Sequence, residues 1–379
     1  MIIIEIVGRN PATELGQVLP LAPSRPRAKQ RTTPQVHHPS DKFSKCNTPQ
    51  KPKTFNNARA MNAYTPPSVD RIPSIERARQ ALLHGYSDRE AVRDAVRAFA
   101  QAELWPHAAR WDQQRHFPQE AHRGLAALGA YGICVPEDLG GAGLDYSTLA
   151  IVLEEIAAGD GGTSTAISVT NCPVNAILMR YGNDAQKKQW LTELAQGNML
   201  GAFCLTEPHV GSDASALTTR ADREGDDFVL NGVKQFITTG KNADMAIVLA
   251  VTDKTAGKRG ISCFLVPTNT PGFIVSRIEE KMGQHASDTA QILFENCRIP
   301  ASALMGNEGD GYKIALSNLE AGRIGIAAQA VGMARSALEA ALAYAKDRVA
   351  FGVPIIEHQA VNFRLADMAT QLDAARLMV

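Results

Sequence analysis

The sequence predicts an α+β multidomain protein: an N-terminal helical domain, a middle β-barrel-like domain and an incomplete C-terminal helical bundle. Three observations predict it. Apolar residues recur at helical spacing up to Gly197. Short β-branched runs punctuated by Gly and Pro fill the stretch from there to Pro300. Helical spacing returns at Tyr312 and persists to the last residue. The domains follow as 1–72 (an irregular tail), 73–199, 200–306 and 307–379.

Order is expected from about Pro73. Ser87-Asp88-Arg89-Glu90 reads as a capping box, in which the Ser hydroxyl accepts from the third helical N–H and Glu90 reaches back. Val92, Val96, Phe99 and Ala100 follow at helical spacing, and Pro106 is expected to stop that helix. Further helices are expected over Pro118–Leu128, Tyr146–Ala158, Asn171–Tyr181 and Ala185–Ala195, with a Gly-rich turn, PEDLGGAGL, at 136–144. In the middle domain Asn231-Gly232 signals a hairpin turn inside Phe228–Thr238. Strands are also expected at Ala246–Val251, Ile261–Val266, Phe273–Arg277 and Gln291–Glu295. A helix from Tyr312 to about Arg348, a break at Gly352-Val353-Pro354 and a last helix from His358 complete the chain. Neither C-cap glycine nor polar ending closes that helix, so the sequence reads as truncated at Val379.

Composition narrows the function. The 379 residues carry 39 Lys+Arg against 39 Asp+Glu, so binding nucleic acid through bulk positive charge is disfavoured. At 45% hydrophobic residues the chain can build a real core, and no apolar run reaches the ~18 residues of a membrane span. Charge is uneven. Arg25–Arg59 holds nine basic residues, one acid and five prolines with no apolar period, which leaves the remainder at −8. This tail reads as disordered, and the preferred start of translation is Met61. The six cysteines form no C-x-x-C pair, and Cys134, Cys204, Cys263 and Cys297 lie in apolar contexts. They read as small core residues in a reducing compartment, without structural zinc or any other metal site.

The segment Phe203–Asp213, FCLTEPHVGSD, resembles the flavin-contacting motif of the acyl-CoA dehydrogenases. Four further stretches match that family in order: PEDLGGAGLD at 136–145, KMGQ at 281–284 with RIP at 298–300, RVAFG at 348–352, and EHQ at 357–359. The resemblance runs from about Ser74 to Val379 and is closest to short-chain and short-branched-chain members. It implies FAD as cofactor and oxidation of an acyl-CoA thioester to the trans-2-enoyl-CoA. It also implies an electron-transfer flavoprotein as acceptor and a homo-oligomer, dimer or tetramer. The location implied is cytoplasmic if the source is bacterial, which is preferred, and the mitochondrial matrix if it is eukaryotic. Removing an α-proton while hydride leaves the β-carbon requires a base and donors on the thioester oxygen.

By the same resemblance Thr206 bonds the flavin ring, with Phe203 and the Leu205 backbone beside it. Gly211 gives close approach, and Ser212 faces both flavin and CoA. Phe236-Ile237-Thr238 matches a Trp-Ile-Thr segment covering the ring; Phe keeps the aromatic face and loses the indole donor. Arg348, Phe351, His358 and Gln359 match residues holding a neighbouring subunit's FAD, and Arg suits a pyrophosphate. Glu320, Gly322 and Arg323 match a segment lining the acyl-CoA channel. Read without their neighbours, these are also a capped β-turn, a core Phe, a helix-ending Arg and a buried Arg in an ion pair.

Departures from the pattern matter. The family's usual catalytic Glu is expected beyond Val379, so no catalytic residue is assigned. A minority of members place it at the position of Gly322, which cannot take a proton. Glu320 lies two residues earlier, about 200° around a helix, and is not promoted. His209-Val210 replaces Gly and a small residue, so strain is expected if that loop needs positive φ. His285 stands where Arg is common. Two alternatives stay open: an inactive or unstable flavin-binding chain, and a flavin oxidase or monooxygenase on the same fold.

Overall fold

In a computed structural model, residues 89–379 are described. The basic tail, the expected start near Pro73, and the Ser87 and Asp88 half of the capping box lie outside them.

Helix α1 (Arg89–Phe99) buries Val92, Val96 and Phe99, as their spacing predicts. Pro106 does not stop the rod. A π turn, Ala100–Leu104, precedes α2 (Trp105–Gln114), and Pro106 falls in the first turn of that helix, where its missing N–H costs nothing. The run ends instead at Arg115, whose φ is 52°. Then come α3 (Gln119–Ala127), the Gly-rich turn, and α4 (Tyr146–Gly159), capped by Asp145 through Thr148 N at 2.9 Å. Helix α5 (Gly161–Val169) has no counterpart in the expected elements. Its Gly-Gly start has poor propensity, but Asp160 caps it through Thr163 N and Oγ1 at 2.6 and 2.7 Å. A π turn, Thr170–Asn175, leads into α6 (Ala176–Tyr181). The expected helix at 185–195 is α7 (Asp184–Gln186), a π turn and α8 (Thr192–Ala195).

Eight strands follow: β1 (Gly201–Cys204), β2 (Arg220–Glu224), β3 (Asp227–Thr238), β4 (Met245–Val251), β5 (Ile261–Pro267), β6 (Phe273–Ile278), β7 (Thr289–Pro300) and β8 (Leu304–Met305). Their order is β6-β7-β3-β2-β4-β5-β8, with β1 parallel to β4. The sheet does not close into the expected barrel. It bends where β2 meets β4 through the single pair Arg220 and Val251, and it ends at β6 and β8. Strand β4 is apolar on both faces, because Ala246, Val248 and Ala250 pack inside the bent sheet while Met245, Ile247 and Leu249 pack on the helices. Asn231-Gly232 is not the hairpin turn. The chain reverses at Gly225, φ 62°, and Asn231-Gly232 sits at a bulge inside β3. Gly232 is needed there because a Cβ would lie 2.5 Å from Thr219 Oγ1.

The C-terminal part is α9 (Gly311–Asp347), a hairpin of β9 (Val349–Ala350) and β10 (Val353–Pro354), and α10 (Gln359–Met378). Helix α9 packs on α4, α5 and β5. It approaches α4 so closely that a Cβ on Gly332 would stand 2.1 Å from Glu154 O. Beside that contact Arg335 reaches Glu155 at 2.6 Å and Glu154 at 3.4 Å, while Arg97 and Arg376 close the group from α1 and α10 at 2.8 and 3.0 Å. Glu155 is 2% exposed, so it needs those cations.

Candidate active site

The site is built where β1 leaves the sheet. Cys204 ends β1, and Leu205–Asp213 forms a loop closed by reciprocal backbone bonds between Glu207 and Val210 at 2.9 and 3.0 Å. The Glu207 carboxylate points inward and organises the loop. Its Oε2 accepts from Thr218 N and Oγ1 at 2.8 and 2.6 Å; its Oε1 accepts from Thr219 N at 3.0 Å and from Lys234 Nζ at 2.8 Å. Lys234 is fully buried on β3 and donates also to Leu205 O at 3.0 Å. Burial alone would raise the Glu207 carboxyl, but the Lys234 charge and the donors around it outweigh that and hold it down at about 2. Burial pulls Lys234 down from its ordinary range, with Glu207 opposing, and the geometry is that of a charged pair.

One residue further along β3, Gln235 N donates to Thr206 O at 2.8 Å, which joins this loop to the expected flavin wall. There β3 bulges between Lys234 and Ile237, and Phe236 takes φ 58° with 51% of its surface exposed. A left-handed aromatic facing solvent is an uncommon arrangement that surrounding structure must hold in place. Thr238 beside it is half-buried. Across the loop Gly211 and Ser212 are exposed, and a Cβ on Gly211 would meet nothing within 4 Å. Thus Thr206, Gly211, Ser212, Phe236 and Thr238 leave accessible hydroxyls, backbone and an aromatic face. The side chains of Leu205 and Ile237 belong to the core and leave only backbone, and half-buried Phe203 packs against the helix-side core. This donor set suits a flat heteroaromatic ring. The strain expected at His209 is absent, since neither His209 nor Val210 has positive φ; the turn closes through the Val210 backbone instead.

On α9, Glu320 and Arg323 are exposed and Gly322 half-buried, with nothing within 4 Å of a Cβ placed on Gly322. Arg323 is exposed, so of its two readings the buried ion pair is set aside, because its face of α9 turns away from α4 and α5. The hairpin residues are placed together: Arg348 is the C-cap of α9, and its carbonyl accepts from Ile355 N at 2.8 Å. His358 Nε2 meets Ala350 O at 3.2 Å, and Phe351 stands edge-on to His358 at 5.9 Å. Arg348 and Gln359 are exposed, and Phe351 is 98% exposed.

Sequence reasoning passed over Glu207 and Lys234. The available signal was a Lys among apolar strand residues, which demands a buried anion. His285, whose place had no explanation, donates its backbone N–H to Asp112 Oδ1 at 2.9 Å and brings its ring to Lys281 O at 2.7 Å. It fastens the KMGQ loop to α2.

Three family models match: acyl-CoA dehydrogenase N-terminal domain over residues 87–198, middle domain over 202–297 and C-terminal domain over 309–379. The human mitochondrial short-chain specific acyl-CoA dehydrogenase is 45% identical over 282 residues, covering 74% of this chain and 68% of that protein. Butyryl-CoA dehydrogenase from Megasphaera elsdenii superposes with a TM-score of 0.73 at 39% identity, covering 79% of this chain and 76% of that one. A glutaryl-CoA dehydrogenase from Mycobacterium smegmatis, solved in complex with FADH2, gives a TM-score of 0.72 at 36% identity over 79% and 75% of the two chains. With matches in all three domains, in order, this chain belongs to the acyl-CoA dehydrogenase family.

Proposed function

We propose that this chain binds FAD along Leu205–Thr206, Gly211–Ser212 and Phe236–Thr238, and that a short acyl-CoA enters between this edge and Glu320–Arg323 of α9. The reaction is α,β-desaturation to the trans-2-enoyl-CoA. One observation carries the reading: the left-handed, exposed Phe236 beside Thr238, tied through Gln235 to the Thr206 loop. When bound, FAD supplies a hydride acceptor for the substrate β-carbon. The protein supplies order. Glu207 and Lys234 fix the loop, the Phe236 face excludes water from one side, and the Thr206 and Thr238 hydroxyls offer donors to ring heteroatoms. Ser212 stands where flavin and CoA meet. Among the described residues no acid is assigned as the α-proton base: Gly322 has no side chain and Glu320 is exposed on another face of the helix.

A second reading is a chain that binds flavin without turning over. The remaining assignments extend the first reading. Arg348, Phe351, His358 and Gln359 serve the FAD of a second copy in a homo-oligomer, an electron-transfer flavoprotein reoxidises the flavin, and the protein works in the cytoplasm. Among the described residues no helix is long and apolar enough to cross a membrane.

The test is the visible spectrum of the purified chain before and after anaerobic butyryl-CoA. Bound flavin that bleaches supports desaturation. Bound flavin that stays oxidised across a panel of acyl-CoA lengths supports binding without turnover. A colourless protein that takes up no added FAD overturns the flavin site.

A further inference from the structure

The segment proposed to face the flavin is bracketed by two strained residues. Phe236 at φ 58° precedes Ile237-Thr238, and Thr239 at φ 61° follows them. Neither is Gly, Asn or Asp, so both conformations must be imposed from outside. The Gln235 bond to Thr206 and the Lys234–Glu207 pair do this on the Phe236 side. On the Thr239 side the work falls to Asp288, which precedes β7 and is 8% exposed. Its carbonyl accepts from Thr239 N at 3.1 Å, its Oδ2 from Lys241 N at 2.8 Å, and its Oδ1 from Asn242 Nδ2 at 2.7 Å. All three bonds go to the turn that begins where the flavin wall ends. Within that turn Thr239 O accepts from Asn242 N and Ala243 N at 3.1 and 2.7 Å, so the carboxylate grips a closed unit.

Asp288 is itself held. Lys281 Nζ donates to Gln284 O and Ser287 O at 3.0 and 2.5 Å, and the same loop reaches α9 through Gln284 and Gln329 at 3.2 Å and α2 through His285 and Asp112. The anchor thus follows directly on a loop fastened to the helices α2 and α9.

We propose that Asp288 is a positioning residue for the flavin, fixing the backbone of Ile237-Thr238 from behind through the Thr239–Asn242 turn. This rests on the reading that Phe236–Thr238 face the ring. Nothing moves chemically at Asp288. It accepts hydrogen bonds, and its effect is felt where the Thr238 hydroxyl and the Phe236 face stand.

The test compares Asp288→Ala, Asp288→Asn and Asp253→Ala in the full chain, each titrated with FAD. Asp253 is an exposed turn-capping control: it caps another turn of the sheet domain through Thr255 N and Oγ1 at 2.8 and 2.7 Å, away from the flavin segment. Asp288→Ala is expected to raise the FAD dissociation constant about tenfold and to shift the visible bands of bound flavin. In the FAD-free protein it is expected to speed hydrogen exchange at the Lys241 amide, which loses its side-chain acceptor, by about tenfold or more. Asp288→Asn retains an acceptor for Lys241 N and, with the Asn242 amide turned over, a bond to that side chain; it should stay within about threefold of the parent. Asp253→Ala should lower the thermal midpoint without moving the flavin bands. Should Asp288→Ala fail to fold, Asn242→Ala removes one of the same bonds and must shift the bands in the same direction by less. Parental affinity and bands in Asp288→Ala, or in Asn242→Ala where that variant is used, overturn the proposal alone. So does an equal spectral shift in Asp253→Ala. A parent chain that takes up no FAD overturns the proposal together with the reading beneath it.

Discussion

Two stretches carry the proposed cofactor contacts, Leu205–Thr239 in the sheet domain and Arg348–Gln359 between the last two helices. In the first, Lys234 is 0% exposed and pairs with the buried Glu207 that organises the 205–213 loop; in the second, Phe351 is 98% exposed and Arg348 is exposed. Both are ordered, since the second is a true hairpin with its own ladder. The difference lies in what holds the side chains. The sheet stretch is positioned by the chain's own interior, so its shape exists before any ligand arrives. The hairpin fixes its backbone and the His358 ring, and its exposed side chains need a surface from elsewhere to become a site. Substitutions at the buried anchors of the first should disturb fold and binding together, and substitutions in the second binding alone.

The largest effect expected is at Lys234. Lys234→Met strands the Glu207 carboxylate in the interior and should cost about 3–5 kcal/mol, measured by denaturant unfolding, with loss of FAD uptake. A cost under about 1 kcal/mol would break the contrast. Acid should reveal the same pair. Glu207 is depressed in the folded protein, so its contribution is present above its unfolded value and is lost as pH falls from about 4.5 toward about 2. The slope of stability against pH in that window should flatten in Glu207→Gln. Next comes Phe236. Phe236→Asn keeps a residue that tolerates the left-handed region, so the apoprotein midpoint should move by less than about 2 °C while the FAD dissociation constant rises about tenfold. At Arg348 the contrast reverses sign. Arg348→Ala should leave unfolding within about 0.5 kcal/mol of the parent, yet weaken FAD retention in whatever oligomer sedimentation detects. The smallest effect is at His209. His209→Gly should stabilise by nothing measurable, since there is no strain to relieve; a gain above about 0.5 kcal/mol would reinstate it.

Much of this was legible in the sequence, and the failures are instructive. Helices with strong apolar spacing were readable because burial and period coincide, as at Val92, Val96 and Phe99. Helix α5 was not, because a Gly-Gly start hides a helix that depends on the Asp160 cap and on packing against its neighbours. Asn231-Gly232 misled because the local turn preference lost to the close approach of Thr219. Pro106 misled because one π turn absorbed it. Of the site, residues offering hydroxyls or aromatic faces could be named from the motif. The Lys234–Glu207 and Asp288–Lys241 contacts could not be read from sequence, since they span 27 and 47 residues and only the folded sheet brings them together. For Arg323 the sequence leaves a buried ion pair and a substrate contact equally open, since apolar neighbours do not tell which face of a helix is covered; the residue is exposed.

The near-touch of Gly332 on the Glu154 carbonyl has a consequence for tampering with this protein. It acts as a notch that sets the phase of α9. Ten residues separate it from Gly322, about 15 Å along the axis. One residue inserted between them would swing Glu320 and Arg323 by about 100° relative to the notch, unless a π turn like that at Ala100–Leu104 took up the extra residue. A designer reshaping the acyl end of α9 can exchange side chains freely on its open face, but must keep the count of residues to Gly332 unchanged.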